Sequence, residues 1–305
     1  MDQMMPDSIA RIRRFQRAVT TEVGALDESF LGRGRPMGVA RVLNAIGGGK
    51  TEVSEVRRYL GLDSGLMSRL LRTLEAERLI EIDADEADNR RRRVRLTAEG
   101  AREYAAYEAL ADAQARAMLD RHASPRRLLE AMDLIASTLG RDRITLHEVP
   151  PQDADAQACM TAYYAELSER LERGFDVALS KDPDARDMIR PRGAFVVAMS
   201  DGMAVGCAGL KGTDLGYAEI KRLWVSPRAR GLGLALRLMD ELERIAVELN
   251  IRLLRLDTNS ALKEAVALYA NTGWQEIARF NDDPYPDRFF EKALAAGAEP
   301  ASRTA

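Results

Sequence analysis

Hydrophobic and polar positions are arranged differently in the two halves of this chain. In the second half, Leu238, Met239, Leu242, Ile245, Ala246 and Leu249 recur at helical spacing, which predicts a helix with one face packed on a sheet. Upstream of it, Ile220, Leu223 and Val225 form an extended, β-prone run that Pro227 ends. Further strands are predicted at 194–198 and 204–209 around the turn Asp201-Gly202, and at 251–256, with a final pair around 274–280 and 288–294. A short helix through Ala267, Leu268 and Tyr269 stops at Gly273, and another runs from Asp153 towards Phe175. Residues 1–141 read as helical apart from one hairpin. A short helix over 51–60, a turn at Gly61-Leu62-Asp63 and a second helix over 64–79 are predicted, the second with Leu66, Leu70 (with Met67) and Leu74 on one face and Ser68, Arg69 and Arg72 on the other. Outer helices are expected from Ser8 to about Leu31 and over 97–139.

The most informative segment is AEIKRLWVSPRARGLGLALR, from Ala218 to Arg237. It places a strand, a glycine loop and a helix start in succession. Arg230-Gly231-Leu232-Gly233-Leu234-Ala235 brings bare backbone to the first helical turn, where unpaired N–H groups attract phosphate oxygens. Leu236 stands where a dinucleotide fingerprint needs glycine, and Leu234 and Ala235 stand where a Walker loop needs Lys-Ser/Thr, so neither motif fits. A second glycine run, Gly47-Gly48-Gly49-Lys50-Thr51, fails as a phosphate loop because Asn44 replaces the first glycine. The segment instead resembles the acetyl-CoA signature of the GNAT superfamily of N-acetyltransferases, (Gln/Arg)-x-x-Gly-x-(Gly/Ala), through Arg230, Gly233 and Ala235. The order of elements around it extends the resemblance over about residues 143–294.

That resemblance implies an α/β domain with a mixed central sheet, acetyl-CoA as co-substrate and direct transfer to an amine. It places Leu223, Val225, Arg230, Gly231, Gly233, Ala235 and Asn259 at the cofactor. Asn259 would equally cap the helix that follows it. An alkyl amine is protonated near neutral pH, so a base must free its lone pair before attack. Glu219 matches the position of a glutamate that acts through water in similar enzymes, and otherwise reads as a solvated residue at a strand end. Backbone N–H groups near Leu223 and Val225 would stabilise the oxyanion. Tyr269 would serve the leaving thiolate, although its spacing with Leu262 and Val266 also suits a core aromatic. Lys221 and Arg222, with Arg190 and Arg192, suggest an acceptor that bears a carboxylate, such as an amino acid. Cys207 lies in an apolar strand with no histidine near it, which argues against an acetyl-cysteine intermediate.

The hairpin in the first half, LIEIDADEADNRRRRVRLTAEG, holds five arginines in six positions, Arg90 to Arg93 and Arg95. Such a cluster repels itself unless anions approach, and guanidinium groups suit phosphates and narrow minor grooves. The preceding pair of helices has helix-turn-helix spacing, in which the second helix enters the major groove. Together with Leu96-Thr97-x-x-Gly100, these elements resemble the MarR family of winged-helix regulators. Asp88-Asn89-Arg90 matches that family's Asp-x-Arg wing motif, whereas Arg78 stands where glycine is usual. The resemblance implies that Ser64, Ser68, Arg69, Arg72, Asp88, Arg90, Arg91 and Arg92 face double-stranded DNA and that the outer helices form a homodimer. Arg69 and Arg72 suit guanine edges and phosphates alike.

Length and composition agree with an α+β chain of two domains, 1–142 and 143–294, followed by a tail at 295–305. At 305 residues, 46% hydrophobic and 30% charged, each half has enough apolar material for a core. No apolar run approaches a membrane span, and Asp7, Arg11, Arg13 and Arg14 interrupt any signal peptide, so the cytoplasm is expected. Cys159, Cys207, His122 and His147 lack metal spacing, and no metal is expected. The net charge of −3 hides the basic hairpin. A regulator fused to an acetyltransferase is the reading that follows. Its alternatives are a regulator whose second domain only senses acetyl-CoA or an amine, and a protein-lysine acetyltransferase.

Overall fold

The computed structural model describes residues 7–84, 92–179 and 185–294. Its contacts divide the chain into two compact units, Met1–Pro125 and Arg126–Ala305. The first contains helices α1 (Ser8–Glu22), α2 (Met37–Gly47), α3 (Val53–Leu60) and α4 (Ser64–Ala76), strands β1 (Ile80–Ala84) and β2 (Arg92–Leu96), and helix α5 (Ala98–Asp120). The second contains α6 (Pro125–Leu139), β3 (Thr145–Glu148), α7 (Ala154–Arg170), β4 (Ala194–Ser200), β5 (Met203–Gly212), β6 (Ala218–Val225), α8 (Leu234–Glu248), β7 (Leu253–Thr258), α9 (Lys263–Asn271), β8 (Gln275–Glu276) and β9 (Arg288–Ala293). The division precedes α6, where the sequence suggests a boundary at 142/143. Asp133 on α6 pairs with Arg228 at 2.8 Å, which attaches that helix to the second unit.

The helix-turn-helix of the first unit is built by local chemistry. Gly61 ends α3 in the left-handed conformation at φ 65°, and Asp63 caps α4 by accepting from the Leu66 N–H at 2.9 Å. The stripe of α4 that enters the core is Met67, Leu71 and Leu74; Met67 and Leu74 are as expected, whereas Leu71 is buried in place of Leu66 and Leu70, which are only half-buried. A strand hairpin leads into α5, capped by Thr97, whose Oγ1 accepts from Gly100 N–H at 2.9 Å. Gly100 has to be glycine because a Cβ there would lie 1.8 Å from the Leu79 carbonyl oxygen. The long outer helix expected over 97–139 is two helices, broken before Pro125.

The second unit is a seven-stranded mixed sheet in the order β3-β4-β5-β6-β7-β9-β8, so the final strand inserts between β7 and β8. Leu238, Met239, Leu242, Ile245 and Ala246 of α8 form one core with Ile220, Leu254 and Leu256. Cys159 and Met160 of α7 form a second core with Phe195, Val197 and Cys207. The parallel pairing of β6 with β7 stops after Ile220↔Leu256, although both strands continue. Beyond that point the strands diverge. On the other edge of β6 the register shifts between Cys207 and Gly209, and Arg222 takes a left-handed φ of 57° to accommodate it.

Candidate active site and nucleic-acid interface

Two cavities lie where β6 and β7 part. The larger, about 520 Å³, is lined by Leu223, Val225, Arg230, Gly231, Gly233 and Ala235. Six of the seven residues expected at the cofactor therefore meet in one place. Gly231 and Gly233 adopt positive φ of 76° and 75°, and a Cβ on either would meet nothing within 4 Å, so the backbone conformation calls for glycine here. Gly233 also occupies the N-cap of α8 with no side chain to compete for the free first-turn N–H groups. A polyanionic nucleotide fits such a cradle.

Arg230 is held by two contacts. Its Nε donates to the Val225 carbonyl at 3.1 Å and its Nη2 to Glu166 at 2.5 Å. Glu166 on α7 also accepts from Trp224 Nε1 at 3.0 Å and from Arg170 at 3.1 Å. Burial pushes the Glu166 carboxyl up, but these three donors outweigh it and hold it below the usual range.

The smaller cavity, about 100 Å³, is lined by Tyr164, Phe175, Lys211, Lys221, Asp257 and Tyr285 among others. Tyr163, Leu167 and Leu262 line both cavities, so the two meet there. Lys221 bridges two carboxylates, Asp257 at 2.6 Å and Glu219 at 3.2 Å, and Asn281 donates to the same Asp257 oxygen at 2.5 Å. Burial lowers the affinity of Lys221 for its proton, yet Asp257 and Glu219 more than compensate and hold its ammonium above its ordinary value.

Neither expected catalytic residue lines these cavities. Glu219 is 7% exposed and stands behind Lys221. Tyr269 is a core aromatic packed on Trp274 and Phe290, and burial raises its phenol well above the ordinary value. Asn259 lines the smaller cavity, not the larger; its amide caps Ala261 N–H at 2.9 Å and donates to the Tyr285 carbonyl at 2.7 Å. Arg190 and Arg192 are committed elsewhere, to Glu148 and Glu248 and to Asp187 and Asp214. Burial holds the Cys207 thiol well above its normal value, which makes it a poor nucleophile. Sequence reasoning missed Tyr163, Glu166 and Lys211, which only the packing of α7 and β5 brings to the site.

Residues 136–274 match the model of the acetyltransferase (GNAT) family, and residues 34–91 match that of the MarR family. The chain is 34% identical over 152 residues to an IAA acetyltransferase of Azospirillum brasilense, an alignment that covers 48% of this chain and 95% of that protein. The chain belongs to the GNAT family of acetyltransferases. It is an N-acetyltransferase with a MarR family domain in its N-terminal part. A GNAT-family acetyltransferase structure from Staphylococcus aureus Mu50 aligns at 21% identity and TM-score 0.45, covering 50% of this chain and 99% of that one. Streptococcus pneumoniae FabT in complex with DNA aligns at 19% identity and TM-score 0.37, covering 43% and 94%.

In the MarR domain, Ser64, Ser68, Arg69 and Arg72 are all exposed on α4, with Arg69 and Arg72 opposite its buried stripe. Arg92 is exposed at the start of β2, while Arg95 is neutralised across the hairpin by Glu81 at 2.5 Å and Asp83 at 3.5 Å. Asp88, Arg90 and Arg91 lie outside the described residues. Among the described residues, no helix is long and apolar enough to cross a membrane, and no group of three or more His, Cys, Asp or Glu side chains is placed to hold a metal.

Proposed function

We propose that this chain is a cytoplasmic DNA-binding regulator and an acetyl-CoA-dependent N-acetyltransferase in one polypeptide, acting on the amine of a small molecule or amino acid. The observation that carries the reading is the pair of cavities joined at Tyr163, one a glycine-lined anion cradle and the other lined by paired charges. Arg230, Gly231, Gly233 and Ala235 hold the pyrophosphate, and acetyl-CoA supplies the acetyl group as a thioester. Asp257, the carboxylate that faces the acceptor cavity, takes one proton from the acceptor ammonium. Glu219 acts behind Lys221 as a positioning residue. The Leu223 and Val225 N–H groups lie in the part of β6 that β7 no longer pairs, and they face the oxygen that gains charge.

As the C–N bond forms and the C–S bond breaks, the second amine proton balances the departing thiol. Tyr163 lines both cavities, and burial first, with Tyr269 and Asp257 beside it, keeps its phenol protonated as a hydrogen-bond donor to sulfur. Tyr269 supports it from the core. The test is thiol release from acetyl-CoA across free amino acids, aryl alkyl amines, polyamines and lysine peptides. Turnover on one class supports the transferase; acetyl-CoA binding without turnover replaces it with a sensor.

The DNA-binding half of the proposal rests on the exposed polar face of α4. Ile9, Ile12, Phe15 and Val19 form an exposed apolar stripe on α1, which suits a homodimer reading two half-sites. Gel retardation of promoter fragments by wild type and Arg69→Ala tests the DNA contact, and sedimentation tests the dimer.

A further inference from the structure

The smaller cavity holds more chemistry than the capture of an amine requires. One wall is a continuous aromatic surface: Tyr164 stacks on Phe175 at 5.4 Å between centroids, and Phe175 meets Tyr285 at 4.7 Å. The wall is fixed, because the Tyr285 hydroxyl accepts from Asp176 N–H at 2.8 Å and lies 3.2 Å from the Asp176 carbonyl, to which it donates. Three separate segments therefore contribute to one apolar face.

The opposite, sheet-borne side carries cations. Lys221 is saturated by Asp257 and Glu219. Arg222 is directed at the Met188 sulfur at 3.4 Å. Lys211 is different. It is half-buried near the end of β5, lines the cavity, and its side-chain ammonium has no hydrogen bond or ion pair among the described residues. Its cross-strand partner is Glu219, whose carboxylate is given to Lys221 instead. A half-buried ammonium without a counter-ion beside an apolar wall favours an anionic ligand. The remaining carboxylate of the cavity, Asp283, accepts the Tyr285 N–H at 3.2 Å.

We infer that the acceptor is a free amino acid with an apolar side chain. Its carboxylate sits on Lys211, its side chain lies on the wall of Tyr164, Phe175 and Tyr285, and its amine faces Asp257 and the junction at Tyr163. The inference rests on reading this cavity as the acceptor site.

The test uses the full chain loaded with CoA and reads binding of reaction products by calorimetry. N-acetyl-leucine and N-acetylphenylalanine are compared with the acetamides of isoamylamine and phenethylamine, which lack only the carboxylate. Wild type is expected to prefer the carboxylated member about tenfold or more, the scale of one charge-assisted hydrogen bond. Lys211→Met is expected to erase that preference and Lys211→Arg to retain most of it. Equal binding of both members, or a preference that survives Lys211→Met, overturns the inference. Turnover is measured in parallel. Turnover that favours decarboxylated amines or lysine peptides overturns the acceptor class and leaves the transferase standing. Carboxylate-dependent product binding without turnover keeps the Lys211 site and removes the transferase reading.

Discussion

The two cavities of the acetyltransferase unit are built in opposite ways. The larger takes ten of its eighteen lining residues from one continuous stretch, 223–236, shaped by two glycines in left-handed conformations and the free end of a helix. The smaller is mostly side chains, contributed by α7, the loop after it, β5, β6, β7 and the loop before β9. A cradle of amides serves any ligand with the same phosphates, so its sequence has little freedom. A wall of side chains can be exchanged one residue at a time without disturbing the cradle beside it.

The contrast is sharpest at Gly233. Its φ of 75° is one a β-branched residue rarely adopts, so Gly233→Val is expected to cost a hundredfold or more in acetyl-CoA affinity while product contacts at Lys211 and the aromatic wall persist. Equal loss at both cavities by calorimetry would show that they are not separable. Asp257→Asn should lower kcat by about a hundredfold, the lower end of the usual scale of a lost general base, with acetyl-CoA affinity retained. A rate that recovers at high pH, where the amine is already neutral, would identify the loss as that of proton removal.

Next come the two phenols. Tyr163→Phe is expected to reduce kcat about tenfold and Tyr269→Phe less than about threefold, because only Tyr163 lines both cavities. The reverse order in single-turnover rates would return the proton-donor role to Tyr269. The smallest effect concerns the wall of the larger cavity. The Glu166 carboxyl lies below its ordinary value of 4.5 in the folded state, so its contribution is present above about 4.5 and is lost as pH falls through the folded value. Glu166→Gln should therefore cost about 1 kcal/mol at neutral pH, and the difference in Tm from wild type should vanish in acid. A difference independent of pH would mean that packing, not charge, holds Arg230.

These regions also differ in how far they could be read in advance. Arg230, Gly231, Gly233 and Ala235 announce themselves because one short segment contains the whole device. Leu223 and Val225 follow because they immediately precede it. Glu219 and Tyr269 are legible as residue types at suitable positions, but Glu219 stands behind Lys221 on the same face of β6 and Tyr269 turns into the core. Tyr163 and Lys211 carry no local signal. A tyrosine on an amphipathic helix and a lysine at a strand end are ordinary until the sheet splays beneath them. Helix α4 shows the same limit on a smaller scale: Met67 and Leu74 are legible as core, whereas Leu71 takes the buried place expected for Leu66 and Leu70. Leucine and methionine at adjacent positions leave the helical phase undetermined.

What the sequence by itself determined is everything that depends on neighbours along the chain: the helix-turn-helix with its Gly61 and Asp63 caps, the basic hairpin, the order of strands and helices, and the anion cradle. Turn chemistry, capping and periodicity act over a few residues and are written locally. Only the tertiary structure decided the rest. The separation of β6 from β7 after Ile220, the insertion of β9 between β7 and β8, the attachment of α6 through Asp133 and Arg228, and the meeting of Tyr163, Asp257 and Lys211 all join residues far apart in sequence. Such contacts are selected by the packing of whole elements, and no single segment encodes them.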